Sequence, residues 1–127
     1  MSKKVSTEHV DLELRDDGIL EYRYAPGAVV DLEFARAIIR AAMELLGNEA
    51  PVPSLVEPGN VKELTREART FFAESPENRA VSSKVALMVE SPATRIIGNV
   101  FLKVSKPRIP TKLFQNRDAA RAWLRER

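Results

Sequence analysis

Residues 53–72 read PSLVEPGNVKELTREARTFF, and this stretch decides the fold of the chain. Its apolar, β-branched start predicts a short strand that ends near Glu57, because Pro58 and Gly59 then favour a tight turn. Beyond the turn, apolar residues recur at helical spacing, and Thr65 stands where an N-cap hydroxyl would accept a free backbone N–H. The stretch therefore predicts a strand, a turn and an amphipathic helix. The apolar helical positions are Leu64, Ala68, Phe71 and Phe72.

This strand-turn-helix unit also predicts a binding surface. In open α/β sheets, ligands and partners bind beyond the carboxyl ends of the strands, where the N-terminus of the next helix adds free N–H groups. We therefore expect this surface to bind a protein partner or a small ligand, whose identity the residues leave open. The predicted site residues are Glu57, Asn60, Thr65, Arg66 and Arg69.

The composition fits one domain and argues against several classes of function. A chain of 127 residues, 44% of them hydrophobic, can bury a single core, so we expect residues 1–127 to form one domain. The chain has no cysteine and one histidine, so we expect neither a metal nor a cofactor. An apolar export segment and a membrane-length apolar run are both missing, which predicts a cytoplasmic protein without membrane contact.

Turn and cap signals divide the first half of the chain. Alternating apolar residues on both sides of residues 16–18, which read DDG, predict an antiparallel hairpin over residues 8–24. A helix is then expected from a cap at Asp31 to about Leu46, with Gly47 closing it.

The second half alternates between strands and helices. The nearly continuous apolar run over residues 80–89 predicts a central parallel strand, and residues 74–79 before it are expected to form a loop. Ser91 and the proline after it predict the start of a helix. An edge strand over residues 110–114 and a helix over residues 116–127 complete the predicted chain.

The predicted element order is β-β-α-β-α-β-α-β-α, with residues 1–7 disordered or loosely attached. Alternating strands and helices require a sheet with helices packed on it, and the leading hairpin adds an antiparallel edge. The fold class expected from the sequence is therefore α/β, a single domain with one mixed sheet.

The helix that begins after Ser91 contains Gly98, which lowers its helix propensity by about 1 kcal/mol relative to alanine. We therefore expect another backbone or bulky side chain to approach closely at that glycine. Phe101 and Leu102 point apart, so one small sheet can hardly bury both of them. This predicts self-association, as a dimer, with Gly98, Phe101 and Leu102 at the contact.

Several segments together resemble the STAS family, which has the SpoIIAA-like fold of anti-sigma-factor antagonists. The strand-turn-helix order of residues 55–72 is similar to that family. Residues 86–103, 106–114 and 119–124 more specifically resemble an uncharacterised bacterial branch of small STAS-like proteins. The resemblance covers most of the chain from about Gly18 and implies a SpoIIAA-like sheet. It also implies a non-enzymatic regulatory module that binds a partner.

In the antagonists, a kinase phosphorylates a serine at the start of the helix after this strand. Matching the two patterns places Thr65 where the family usually has aspartate, and places Arg66 and Glu67 where it has the serine pair. The usual acceptor hydroxyl is therefore missing. Thr65 is then either a plain helix cap or a substitute phosphoacceptor whose phosphate free N–H groups and Arg66 or Arg69 would stabilise.

Three other functions have some support in the residues: an apolar carrier, nucleic-acid binding and acid-base catalysis. A carrier of a small apolar or lipid-like molecule would hold its ligand between the sheet and the Ile96 or Phe71 helices, and it requires an apolar cavity. Residues 95–127 carry nine basic and two acidic side chains, but no aromatic residues interleave with them, which disfavours nucleic acid. Glu57, Glu63 and Glu67 fit a solvated charged face better than an acid-base pair. The sequence therefore does not predict an enzyme.

Overall fold

The computed structural model describes residues 3–126, and its central feature is a six-stranded mixed sheet. The strands in chain order are β1 (Lys3–Ser6), β2 (Val10–Leu14), β3 (Leu20–Tyr24), β4 (Val29–Val30), β5 (Val52–Glu57), β6 (Glu63–Leu64), β7 (Ser82–Met88) and β8 (Thr111–Phe114). The large sheet has the order β1-β2-β3-β5-β7-β8, and β4 pairs with β6 in a separate parallel ribbon. Strand β2 is antiparallel to both of its neighbours, β1 and β3, whereas β3, β5, β7 and β8 run parallel.

Five α-helices connect or follow these strands. They are α1 (Leu32–Leu46), α2 (Arg66–Glu74), α3 (Pro76–Val81), α4 (Pro92–Val100) and α5 (Arg117–Arg125). Helix α4 continues as a π-helical turn over Phe101–Ser105 and ends at Lys106, which is left-handed. Within residues 3–126, no helix is both long and apolar enough to cross a membrane.

The predicted hairpin and fold class are confirmed. Val10 lies opposite Tyr24, and Leu14 lies opposite Leu20, so the apolar residues of both strands share one face of the sheet. The turn between the strands uses Gly18 with a positive φ of 83°, as an Asp-Gly turn requires. A mixed sheet with this antiparallel edge, followed by parallel β-α units, is the predicted architecture.

The sheet separates two layers of helices. Helices α1, α2 and α3 pack on one face, where the larger core cluster includes Leu12, Leu20 and Ile38. Helix α5 packs on the other face, over Leu55 and Ala86. Strand β7 lies between β5 and β8, which confirms its predicted central, parallel position, and β8 is an edge strand as predicted.

The loop predicted for residues 74–79 is wrong, because α3 occupies most of that segment. The Ser75 side chain accepts a hydrogen bond from Asn78 N at 3.1 Å, and Pro76 stands in the first helical turn. The same pair of signals starts α4, where Ser91 caps and Pro92 follows. Serine followed by proline therefore marks a helix start at both places in this chain.

The start of the chain differs from its predicted state. Residues 3–6 form β1 and pair antiparallel with β2, so that Val5 lies opposite Leu12. They are therefore not loosely attached. Residues 1 and 2, to which the same prediction applied, lie outside the described residues.

Candidate functional site

Thr65 has the predicted capping role. Its hydroxyl accepts a hydrogen bond from Ala68 N at 3.2 Å, and its own N–H donates to the Val30 carbonyl at 3.0 Å. The side chain is half-buried. Both polar groups of Thr65 are thus used to hold the start of α2 against β4, which supports the interpretation as a plain cap.

The other predicted site residues do not gather around Thr65. The Glu57 carboxylate forms an ion pair with Arg117 of α5, so it lies on the opposite side of the sheet from α2. Arg66 is exposed, and Arg69 is half-buried with its Nε atom lacking a partner among the described residues. The structure therefore divides the predicted surface between the two faces of the sheet.

Glu57 and Asn60 do share a shallow depression, here named the carboxyl-edge groove. It lies beyond the carboxyl ends of β3, β5 and β7 and has a volume of about 370 Å³. Among the described residues that line it, Arg23 supplies a guanidinium, which is held by Glu13 at 3.0 Å and Glu21 at 3.2 Å. The described residues that line it are Arg23, Tyr24, Glu57, Pro58, Gly59, Asn60, Met88, Glu90, Ser91 and Thr94.

A second space, here named the sheet cavity, lies between the sheet and helices α1, α2 and α4. Its volume is about 110 Å³, and no described residue that lines it carries a charge. It adjoins the carboxyl-edge groove, since Tyr24, Pro58 and Thr94 line both. The lining residues are Tyr22, Tyr24, Val30, Ile39, Ser54, Val56, Pro58, Val61, Leu64, Phe72, Asn78, Ser82, Val85, Leu87, Thr94, Ile97, Phe101, Pro107, Ile109 and Thr111.

The alternation of strand β7 explains the wall of this cavity. Successive strand residues point to opposite faces, so Ala86 and Met88 pack beneath α5 and are buried. Val85 and Leu87 face the other way, line the cavity and are only half-buried. The apolar run of β7 is therefore covered by a helix on one face and by a partly empty space on the other.

Three hydroxyls lie together in the lining of the cavity, and we name them the hydroxyl cluster. Ser54 Oγ and Ser82 Oγ are 2.7 Å apart and share a hydrogen bond. The Tyr22 hydroxyl lies beside both serines but makes no hydrogen bond of normal geometry to any described group. Sequence reasoning missed this cluster, although a serine at position 54 inside an apolar strand is a signal that could have found it.

The residues of the predicted oligomer contact differ in their exposure. A Cβ on Gly98 would meet the side chains of Val89 and Leu113 at 3.0 Å, so the expected close approach is present, but within the chain. Gly98 is therefore buried and has no surface to offer a second copy. Phe101 lines the sheet cavity, and Leu102 is half-buried.

Helix α5 is joined to the hairpin by an ionic cluster. Arg121 pairs with both Asp17 and Glu21, and Arg125 pairs with Asp17 at 3.0 Å. Partial burial alone would raise the pKa of the Asp17 carboxyl, but hydrogen bonds from the two arginines outweigh it and hold that pKa below its ordinary value. Glu21 is only 1% exposed, so this polar face of the hairpin is partly covered.

Three arginines of the basic segment, residues 95–127, form ion pairs within the chain. Arg117, Arg121 and Arg125 belong to that basic segment, yet each pairs with an acidic side chain of the chain itself. Their charges are thus partly neutralised within the chain. Among residues 3–126, no three histidine, aspartate or glutamate side chains gather so that they could hold a metal ion.

Comparisons with known proteins place the chain among proteins without an established function. Residues 12–127 match the family described as a domain of unknown function, DUF7793. No curated protein matches the chain. An uncharacterised protein from Shewanella loihica PV-4, of the DUF3478 family with a SpoIIAA-like fold, has a TM-score of 0.60 and is 15% identical, over 94% of this chain and 98% of that one. A protein of unknown function from Arthrobacter sp. FB24 is 30% identical, over 95% and 96% of the two chains, with a TM-score of 0.37.

At that identity, the Shewanella protein supports the fold alone. It confirms the SpoIIAA-like architecture that the resemblance implied. The Shewanella protein is described as uncharacterised, and the Arthrobacter protein as of unknown function.

Proposed function

Because the chain belongs to the DUF7793 family, whose function is unknown, we propose a function from the sheet cavity: a non-catalytic binding module for a small apolar ligand. The observation that carries this proposal is an uncharged cavity of about 110 Å³ between the sheet and helices α1, α2 and α4. A carrier of a small apolar molecule is expected to hold its ligand in this position, between the sheet and the helices that contain Phe71 and Ile96. The hydrophobic effect would drive binding, since apolar side chains such as Val85 and Leu87 remain incompletely covered.

The volume limits the ligand. An engineered cavity of about 150 Å³ in another protein stays dry and binds benzene, and the sheet cavity is somewhat smaller at about 110 Å³. It therefore suits a small ring or a short alkyl end. A whole lipid would require the helices to move.

Benzene is a suitable first probe. We expect benzene near saturation to raise the thermal unfolding midpoint of the full chain and to give nuclear Overhauser contacts to Val85 and Leu87, because a ligand that binds only the folded state stabilises it. In Val85→Phe, the added ring should fill the space, keep or raise the stability of the free protein, and remove the benzene effect.

Met43→Phe is the control, because Met43 is 44% exposed and does not line the cavity. It should bind benzene as the unaltered chain does. Circular dichroism would show whether Val85→Phe folds, and Leu87→Phe provides a second filling variant. Absence of both the midpoint shift and the contacts in the unaltered chain would refute the proposed function.

A second proposal is that the carboxyl-edge groove binds a protein partner, as the sequence led us to expect for Glu57 and Asn60. The groove supports this because charged and polar side chains such as Glu57, Asn60 and Glu90 line it, and because it lies where α/β sheets commonly bind partners. Replacing Thr65 and Arg69 together tests the predicted surface on α2, whereas replacing Glu57, Asn60 and Glu90 tests the groove. Loss of partner capture only in the second variant would favour the groove.

Self-association remains a proposal, with a different contact from the predicted one. Ile96 and Val104 are 65% and 70% exposed on the α4 segment, so they offer apolar surface that Gly98 does not. Sedimentation at high concentration tests the idea, with Ile96→Lys as the disruptive variant. A strictly monomeric protein would rule it out.

A further inference from the structure

The hydroxyl cluster contains a donor that the described protein groups leave unused. Tyr22 is 4% exposed, and its hydroxyl lies beside the Ser54 and Ser82 hydroxyls but makes no hydrogen bond of normal geometry to a residue that the structure describes. A buried polar group without a partner costs about 1–3 kcal/mol. Because Tyr22, Ser54 and Ser82 all line the sheet cavity, a molecule in that cavity is well placed to supply the missing acceptor.

The Tyr22 hydroxyl is a donor over the whole physiological pH range. Burial raises its pKa to about 12, although the neighbouring Ser82 and Ser54 hydroxyls act in the opposite direction. It therefore stays protonated, and the ligand group that meets it must accept a hydrogen bond.

The ligand should also be neutral. No charged side chain lines the described cavity, and a carboxylate taken out of water without a countercharge would lose far more free energy than one hydrogen bond returns. A carbonyl oxygen fits both conditions, because it accepts a hydrogen bond and carries no net charge.

We propose that the sheet cavity binds a small neutral carbonyl compound, whose oxygen accepts a hydrogen bond from Tyr22 while its apolar part lies against Val85 and Leu87. This inference rests on the proposed function, since it assigns a ligand chemistry to the same cavity. It goes beyond the proposed function because it requires a hydrogen bond from the Tyr22 hydroxyl to the ligand.

Cyclopentanone and methylenecyclopentane are matched probes, because they have the same shape and differ in a C=O or a C=CH₂ group. Affinities for both would be measured by calorimetry on the full chain, on Tyr22→Phe and on Tyr24→Phe. We expect Tyr22→Phe to weaken cyclopentanone binding about fivefold, the value of one ordinary hydrogen bond, and to leave methylenecyclopentane binding unchanged. Tyr24 also lines the cavity, so Tyr24→Phe controls for the loss of any tyrosine hydroxyl there. We expect it to leave the ratio of the two probe affinities unchanged.

The outcomes distinguish this inference from the proposed function. If Tyr22→Phe weakens both probes equally or neither, the hydrogen bond is refuted while the apolar site stands. If Tyr24→Phe also separates the probes, the contact does not belong to Tyr22 and the inference fails. If the unaltered chain binds neither probe, the proposed function fails and takes the inference with it.

Discussion

The two faces of strand β7 differ in how completely helices cover them. On the α5 face, Ala86 and Met88 are buried against Ala120 and Leu124. On the opposite face, Val85 and Leu87 of the same strand border the sheet cavity and are half-buried. One apolar strand therefore borders a packed core on one side and a partly empty space on the other, and the helices above each face make the difference.

The largest effect should come from truncating the packed face. Leu124→Ala removes a fully buried side chain, and such changes cost about 2–5 kcal/mol. Leu87→Ala on the cavity face should cost less than about 1.5 kcal/mol, because that side chain already lacks neighbours on one side. Chemical denaturation of both variants measures the difference, and equal losses would contradict the contrast between the faces.

The hairpin and caps could be predicted because each depends on residues close in sequence. Residues 16–18 predict their turn without any knowledge of the rest of the fold, and Ser91 with Pro92 predicts a helix start in the same way. Ser75 and Pro76 carry the same signal, but the helix that follows them, α3, has only six residues. So short a helix shows no apolar period, and the sequence therefore favoured a loop there. Local signals were thus present even where the prediction was wrong.

The candidate site depends on contacts that no local pattern contains. Glu57 pairs with Arg117, sixty positions later in the sequence. Residues 53–72 alone therefore do not contain the contact that places Glu57 on the opposite side of the sheet from Thr65. The sheet cavity likewise depends on how far α4 lies from β7. Gly98 lies close to the Val89 and Leu113 side chains, and the sequence predicted only that some close approach exists.

A smaller effect is expected from the ionic cluster that joins α5 to the hairpin. Asp17→Asn keeps the side-chain shape but removes its charge, and should lower the free energy of unfolding by about 1 kcal/mol at pH 7. Because the pKa of Asp17 is lowered by folding, its contribution is present above the unfolded value near 3.8 and is lost as the pH falls through the folded value.

The stability difference between Asp17→Asn and the unaltered chain should therefore shrink progressively as the pH falls below about 4. Unfolding measured from pH 7 to pH 3 tests this. Glu44→Gln, at an exposed position of α1, should show no such dependence. A difference that persists undiminished at pH 3 would mean that the charge of Asp17 is not its cause.

The smallest net effect should come from Gly98→Ala, which probes how closely α4 sits on the sheet. Alanine gains about 1 kcal/mol of helix propensity, but its Cβ would meet Val89 and Leu113 at 3.0 Å, and overpacking costs about 1–3 kcal/mol. We expect a net loss of about 1 kcal/mol or less, measured by denaturation. A net gain would mean that α4 can rise from the sheet without resistance.

The short strand β6 lies between the end of β5 and the start of α2, and it pairs with β4 in the small ribbon. Val30 and Leu64, which pair in this ribbon, also line the sheet cavity. Under the proposed function, the ribbon is therefore part of the binding site, and substitutions at these two positions should alter which molecules the cavity accepts.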